Sequence, residues 1–417
     1  MKTYMFIYKI AFVILSIMLS LSTRAQTDTT KTLQRLAIDS NRQKLNMDAV
    51  YNRPFLSVGK LPVALGGYLE ANTQYQVTDG VSDGFSFQAR RLTLFMSSTI
   101  ARKIKFLSEI EFEDGTKEIN IEFAAMDIEF HPMLNFRGGI IMNPIGAFNQ
   151  NHDGPRWDFI DRPFVATAII PTTLASAGFG IHGKHFANNW VLGYETYLTN
   201  GFDDHIISNT DGRTSLAAGK INPLRFEESN SGLPMFTGKF AVRNRKIGEA
   251  GISYMTGVYN KWKLDDIKID NKRHASVLAF DFNTSIFKNR LSLMGELAKV
   301  WVVVPDAYTQ QYGQQQLGIY LDAIYTVLQR KISDWDNAKL NAGLRIEYAD
   351  FNQGTFNENG KNIGDHVWAI VPAIAFRPVG STVLRFNYRF EQQTDLLGNP
   401  PANTAAFQFG FRLIFKL

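Results

Sequence analysis

The stretch Ile104-Lys105-Phe106-Leu107-Ser108-Glu109-Ile110-Glu111-Phe112-Glu113 puts Ile104, Phe106, Ile110 and Phe112 on one parity. Lys105, Glu109, Glu111 and Glu113 fall on the other. Side chains of an extended strand alternate between faces, so this is a strand with one apolar and one charged face. The same period recurs along the chain. In Leu65–Val77 the odd positions are largely apolar, while the even ones carry Glu70, Asn72, Gln74 and Gln76. Leu340–Tyr348 opposes its apolar residues to Asn341, Arg345 and Glu347, and Phe407–Leu417 sets its phenylalanines against Gln408, Gly410 and Arg412. From residue 62 to the end about sixteen such segments follow one another, and no helix-period stretch separates them.

The links between these segments alternate in length. They are short at 101–103, 131–133, 186–189, 244–248, 287–289 and 378–381, and long at 143–177, 200–234, 261–271, 305–315, 350–365 and 392–403. Three break the rule: 78–84 and 114–117 are middling where a long link is due, and 330–337 is too long for a turn. A soluble sandwich has no reason to alternate in this way. A transmembrane antiparallel β-barrel of about 16 strands does, because short periplasmic turns and long extracellular loops lie on opposite sides of the bilayer. Only a closed sheet satisfies every backbone polar group in lipid. Two positions interrupt the pattern. The phase changes at Arg90-Arg91, which predicts a bulge. Pro372 removes a ladder donor inside a strand, which predicts a second bulge or a misplaced strand.

Composition agrees with this reading. The chain has 417 residues, 45% of them hydrophobic and 20% charged, and no cysteine. Disulfide scaffolds, thiol nucleophiles and thiolate metal sites are thereby excluded. Residues 1–25 read as a cleavable signal peptide, with Lys2 and Lys9 before the short apolar run Ile10–Leu21 and Thr23-Arg24-Ala25 before the cut. Residues 26–61 are a polar N-terminal segment, expected in the periplasm, and 62–417 form the barrel domain. Removing the leader's three bases from the formal charge of +5 leaves +2. No concentrated basic footprint for nucleic acid is present.

The last strand resembles the C-terminal recognition signal of bacterial outer-membrane barrels, in Gln408-Phe409-Gly410-Phe411-Arg412-Leu413-Ile414-Phe415. The body resembles the phosphate-selective porin family (porin O and porin P), in its Bacteroidetes-type form. Phe87–Phe95 followed by Lys105–Phe112 is similar to that family's Arg-Arg strand and its partner. Phe136-Arg137-Gly138-Gly139 through Asn143-Pro144-Ile145-Gly146, then Phe159-Ile160-Asp161-Arg162-Pro163-Phe164 and Ala177–Gly183, resemble its passage into and out of a central loop. The resemblance covers 65–417 loosely. It implies a homotrimeric, 16-stranded channel in the outer-membrane lipid of a Gram-negative cell, passing small anions such as phosphate without cofactor or catalysis. The rival readings are a surface receptor or adhesin and a lipid-hydrolysing barrel.

Strand parity and this resemblance nominate pore-lining residues: Arg90, Arg91, Lys105, Glu109, Glu111, Glu122, Arg345, Arg385, Arg389 and Arg412. The loop 143–177 is too apolar for a solvated tip, so it is expected to pack on the inner wall. Asp153, Arg156, Trp157, Asp161 and Arg162 are its constriction candidates. Arg385, Arg389 and Arg412 would form a basic wall beside Arg90-Arg91, facing acids on the third and fourth strands, unless neighbouring pairs cancel locally.

Other motifs lose their meaning in this context. Gly80-Val81-Ser82-Asp83-Gly84 fits the G-x-S-x-G elbow but joins two strands where that chemistry needs a strand–turn–helix. Gly178-Phe179-Gly180-Ile181-His182-Gly183 fits G-x-G-x-x-G with no helix after it, and its glycines are expected beneath an inserted loop. His182 and His185 fall on opposite faces and cannot share a metal. Asp203, Asp204 and Asp211 could hold calcium but lack the EF-hand spacing and read rather as solvated loop charge, and Lys261–Arg273 is either a loop that gathers anions or a plain solvated hairpin. No metal site is expected.

Overall fold

A computed structural model of the protein describes residues 45–51, 63–100, 103–115, 117–152, 156–220, 223–396 and 399–416. The expected leader, residues 1–25, lies outside the described residues. So does all of 26–61 except 45–51.

Sixteen strands close into one antiparallel barrel, each paired with its neighbours in sequence and the last with the first. They are β1 (Val63–Thr78), β2 (Val81–Ile100), β3 (Ile104–Glu113), β4 (Glu118–His131), β5 (Leu134–Met142), β6 (Ala175–Ala187), β7 (Trp190–Thr199) and β8 (Met235–Asn244). The second half comprises β9 (Gly248–Val258), β10 (His274–Ile286), β11 (Leu291–Val302), β12 (Gln315–Ile332), β13 (Trp335–Asp350), β14 (His366–Arg377), β15 (Thr382–Gln393) and β16 (Ala402–Lys416). The charged stretch after β9 folds as a small exposed hairpin, Lys263–Leu264 against Ile267–Lys268, outside the barrel wall.

The outward face is apolar. Leu92, Leu94, Ile110, Phe280, Ile319, Leu344, Ile346, Phe386, Phe407 and Phe409 are all exposed on it. Trp190 and Trp335 each open a strand at the short-turn rim, also exposed. An apolar band edged by aromatic side chains is what a bilayer solvates well. Among the described residues no helix is long and apolar enough to cross a membrane; the strands do so.

Loop lengths follow the expected alternation, with corrections at the irregular links. The link expected over 330–337 is a two-residue turn, Ser333-Asp334, because β12 and β13 run on to Ile332 and from Trp335. Their outer ends have left the apolar band, so the alternation fades while the ladder continues. On the long-loop side the first hairpin has only Asp79-Gly80 between its strands. Both residues have positive φ, 49° and 84°, as a tight two-residue hairpin turn requires. The Ser82 of the elbow-like motif therefore sits in β2, not on a strand-to-helix turn.

The bulge at Arg90-Arg91 is present. Glu70 pairs with Arg91 but Asn72 pairs with Gln88, one residue out of step. The extra residue turns both arginines toward the lumen. Pro372 produces neither a bulge nor a displaced strand. It pairs with Leu344 on one side. On the other the register is the same before and after it, Ile370 with Phe390 and Ala373 with Asn387. The missing N–H leaves a local gap in a ladder that its other rungs hold. The glycines of the G-x-G-x-x-G run also differ from expectation. A Cβ on Gly178 or Gly180 would strike the backbone of β7, at Leu198 and Thr196. The close approach is strand to strand.

The hydrophobic core lies inside the barrel. Residues 143–152 and 156–174 turn inward, burying Ile145, Phe148, Trp157, Val165, Ile169 and Ile170 against Val277, Val300 and Tyr320 of the wall. Part of loop 200–234 joins it through Phe202, Ile206 and Leu216. Segment 45–51, read from sequence only as polar tail, also packs on the inner wall through Leu45, Met47 and Val50.

Candidate functional site

Strand alternation aims the charged parity of each strand into the lumen, and the inserted loop meets it there. Three consecutive loop carbonyls are each held by a wall arginine. Arg385 Nη1 donates to Phe159 O at 2.6 Å, Arg412 Nη2 to Ile160 O at 3.3 Å, and Arg345 Nη1 to Asp161 O at 2.7 Å. Guanidinium suits this task because it keeps its charge and offers five donors in a fixed fork.

The arginines are neutralised by buried carboxylates. Arg345 is bidentate on Asp322 at 2.7 and 2.8 Å, from the neighbouring strand. Glu70, fully buried, accepts from Arg412, from Arg385 at 3.3 Å and from Arg91 at 3.3 Å. Arg91 is shared further with Glu111 at 3.2 Å and Glu113 at 2.8 Å. Arg385, Arg412 and Arg345 thus form a paired, buried layer, and locally cancelling pairs describe them better than an open basic wall.

Beside this layer lies a cavity of about 420 Å³ with a different balance. Arg90, Arg91, Arg162, Lys220 and Arg389 line it, against the carboxylates of Glu113, Asp161 and Glu391, with the hydroxyls of Thr167, Thr172 and Thr173. Arg90 pairs with Asp161 at 2.9 Å, and Arg389 with Glu347 at 2.8 Å and Glu391 at 2.7 Å while lying over the Phe164 ring. Burial would raise the Asp161 carboxyl. The charges of Arg90 and Arg389 and a hydrogen bond from Gln408 outweigh it and hold the group at about 2.

Arg162 differs from the other cations. It is 9% exposed, yet its Nε and Nη2 have no hydrogen-bond partner. Burial, reinforced by the Arg91 charge, pushes its guanidinium below the ordinary value, although an arginine remains cationic at working pH. A buried donor without an acceptor is costly; Arg385 and Arg412 each leave only Nε in that state, so Arg162 keeps the larger unused donor capacity.

The remaining nominated residues are dispersed. Lys105 pairs with Glu129 at 2.5 Å, half-exposed, on the first rungs of β3. Glu109 is buried, 3.7 Å from His152 of the loop. Glu111 also accepts from Tyr68 and Thr93. Glu122 is buried and acts on Lys220, whose ammonium burial lowers and Glu122 partly restores. Trp157 stacks on Phe148 at 4.3 Å and donates to Asn151 O. Arg156 is exposed and donates to Asn151 Oδ1 at 2.8 Å. Asp153 lies outside the described residues. Lys220 was not foreseen. It belongs to the loop 200–234, whose sequence has no period to phase it, and it reaches the cavity by bonding Thr172 and Thr173. Among the described residues, no group of three or more His, Asp or Glu is placed to hold a metal.

A closed 16-stranded barrel with an apolar exterior, a charged interior and a long loop folded inward has the architecture of the outer-membrane porins. Solved structures bear this out at the level of fold. The chain is similar to the anion-selective porin from Comamonas acidovorans (12% identity, 85% of this chain and 99% of that one, TM-score 0.54). It is also similar to Salmonella typhi OmpF (10%, 84% and 97%, 0.53) and to the outer-membrane channel DcaP of Acinetobacter baumannii (12%, 85% and 97%, 0.51). No family profile matches the chain. An uncharacterized protein of Aquifex aeolicus (strain VF5) is 29% identical over 218 residues, 48% of this chain and 46% of that protein's length. The match thus spans about half of that relative.

Proposed function

We propose that the protein is an outer-membrane porin through which small hydrophilic solutes diffuse, with a preference for small anions such as phosphate. It carries out no bond-breaking chemistry and needs no cofactor. Its outer face meets lipid, a cleaved leader directs its export, and the resemblance noted in its sequence favours a homotrimer. The observation that carries the anion preference is the cavity beside the inserted loop. There five cations and three carboxylates face the open space, the further partners Glu70, Glu111 and Glu347 lie behind it, and Arg162 presents two unpartnered nitrogens. About 420 Å³ has room for a small oxyanion and several waters, each needing roughly 30 Å³. A filter of this kind favours one sign of charge by its field while binding weakly enough to release.

Planar-bilayer recording across a salt gradient tests the reading. The wild-type protein should give discrete conductance steps and an anion-preferring reversal potential, and Arg162→Ala should move that potential toward cation preference. The shift should shrink in 1 M salt, where the screening length is about 3 Å. A folded barrel with no conductance would reject the channel. An unmoved potential at low salt would reject the anion site.

A further inference from the structure

We propose that Leu45–Tyr51 is a plug carried by the chain itself, docked in the lumen with its Leu45 end near the short turns and narrowing the passage from that side. The segment is one 3₁₀ turn, Asn46–Asp48, with its flanks. Its contacts place it. Leu45 and Met47 pack with Val191 and Ala241, residues within a few positions of the short turns that begin β7 and end β8. The Asn46 backbone N–H donates to both oxygens of Glu249, at 2.8 and 2.9 Å, beside the turn that begins β9. Asp48 pairs with Lys184 of β6. At the other end Val50 packs with Leu107, Phe123 and Met142, and the Met142 N–H donates to Tyr51 Oη at 3.1 Å. The segment therefore runs along the inner wall from β9 to β3.

It also meets the inserted loop. Asn46 Nδ2 donates to Ala147 O at 2.9 Å, and Asn151 Nδ2 donates to Asn46 Oδ1 at 2.6 Å. Two layers thus share the lumen, the loop and this segment against it. The wall is shaped for the guest. A Cβ on Gly193 would overlap Leu45 Cδ1 and come within 2.9 Å of Met47 Cε, so the glycine lets both side chain ends lie flush against the wall. The attachment is a set of hydrogen bonds, one ion pair, buried aliphatic contacts and the Tyr51 ring, which lies against Phe123 and under the Arg137 guanidinium; none of these is a rung of the barrel ladder.

The absence of cysteine from the sequence makes a direct test possible. Leu45 Cγ, about where the sulfur of a cysteine would sit, stands 3.7 Å from the Cβ that Gly193 would carry, so Leu45→Cys with Gly193→Cys needs only a small adjustment to form a disulfide. In the membrane-embedded full-length protein the pair should crosslink on oxidation and conduct as wild type. Gly193→Leu, which fills the seat, should raise single-channel conductance by about twofold over the crosslinked protein, since ion flow follows the open cross-section and its lining. Failure of the cysteines to crosslink in a folded barrel would overturn the docking. Equal, non-zero conductance of the crosslinked protein and Gly193→Leu would overturn the plug and leave the segment a strut. The inference rests on the channel reading for its readout. Silence of wild type and variant alike would sink that reading and the plug with it.

Discussion

Glu70→Gln isolates the charge that holds the arginine layer together. The amide keeps the carboxylate's shape and one acceptor, so the substitution removes charge with little change in volume. Three guanidiniums converge on Glu70, and they lose it unequally. Arg91 keeps Glu111 and Glu113 at 3.2 and 2.8 Å. Arg385 and Arg412, 0% and 2% exposed, keep only the carbonyls of Phe159 and Ile160. Two buried cations would then face each other with no counter-charge. Breaking a buried ion pair from one side costs about 3 to 5 kcal/mol, and the cost here should reach that range because both cations share one partner. Glu111→Gln is the control. It leaves Arg91 with two carboxylates, and the loss should be nearer about 1.5 to 3 kcal/mol, that of a charge-assisted hydrogen bond. Urea titration of the barrel refolded in lipid vesicles measures both. A Glu70→Gln barrel within about 1 kcal/mol of wild type, or no less stable than Glu111→Gln, would refute the reasoning that Glu70 neutralises the layer.

Arg385 and Arg389, four residues apart on one strand face, should separate in their effects. Arg389→Ala, which empties a position on the cavity, should shift the reversal potential toward cation preference at low salt. Arg385→Ala should mainly lower the unfolding midpoint, by leaving Glu70 with one cation fewer and Phe159 O without its donor. The Asp161 carboxyl, held at about 2 against an ordinary 3.8, contributes stability that is present above the ordinary value and lost as pH falls through about 2. Protease protection of the loop should accordingly be equal at pH 7 and pH 4 and fall only in stronger acid; loss already at pH 4 would show that Asp161 does not anchor it.

The barrel could be read from sequence because a strand in a bilayer wall is a local object. Each residue of Ile104–Glu113 or Phe407–Leu417 faces lipid or lumen by parity alone, and lipid tolerates only apolar side chains. A break in that parity at Arg90-Arg91 was enough to locate a bulge. The rule stopped where lipid stopped, so the ends of β12 and β13 were misjudged. Within the lumen, parity tells which way a side chain points and not what it meets. Nothing near Arg385 in sequence indicates that its charge is spent on Glu70 and Phe159 O, 315 and 226 residues away. The entry of Lys220 into the cavity, and the docking of Leu45–Tyr51 on Gly193, are equally silent in sequence, since neither segment has a period. Sequence alone determined the wall, because burial in lipid repeats every second residue. Tertiary structure decided which charges are spent and which remain open, because that depends on contacts across a closed lumen between segments no local pattern connects.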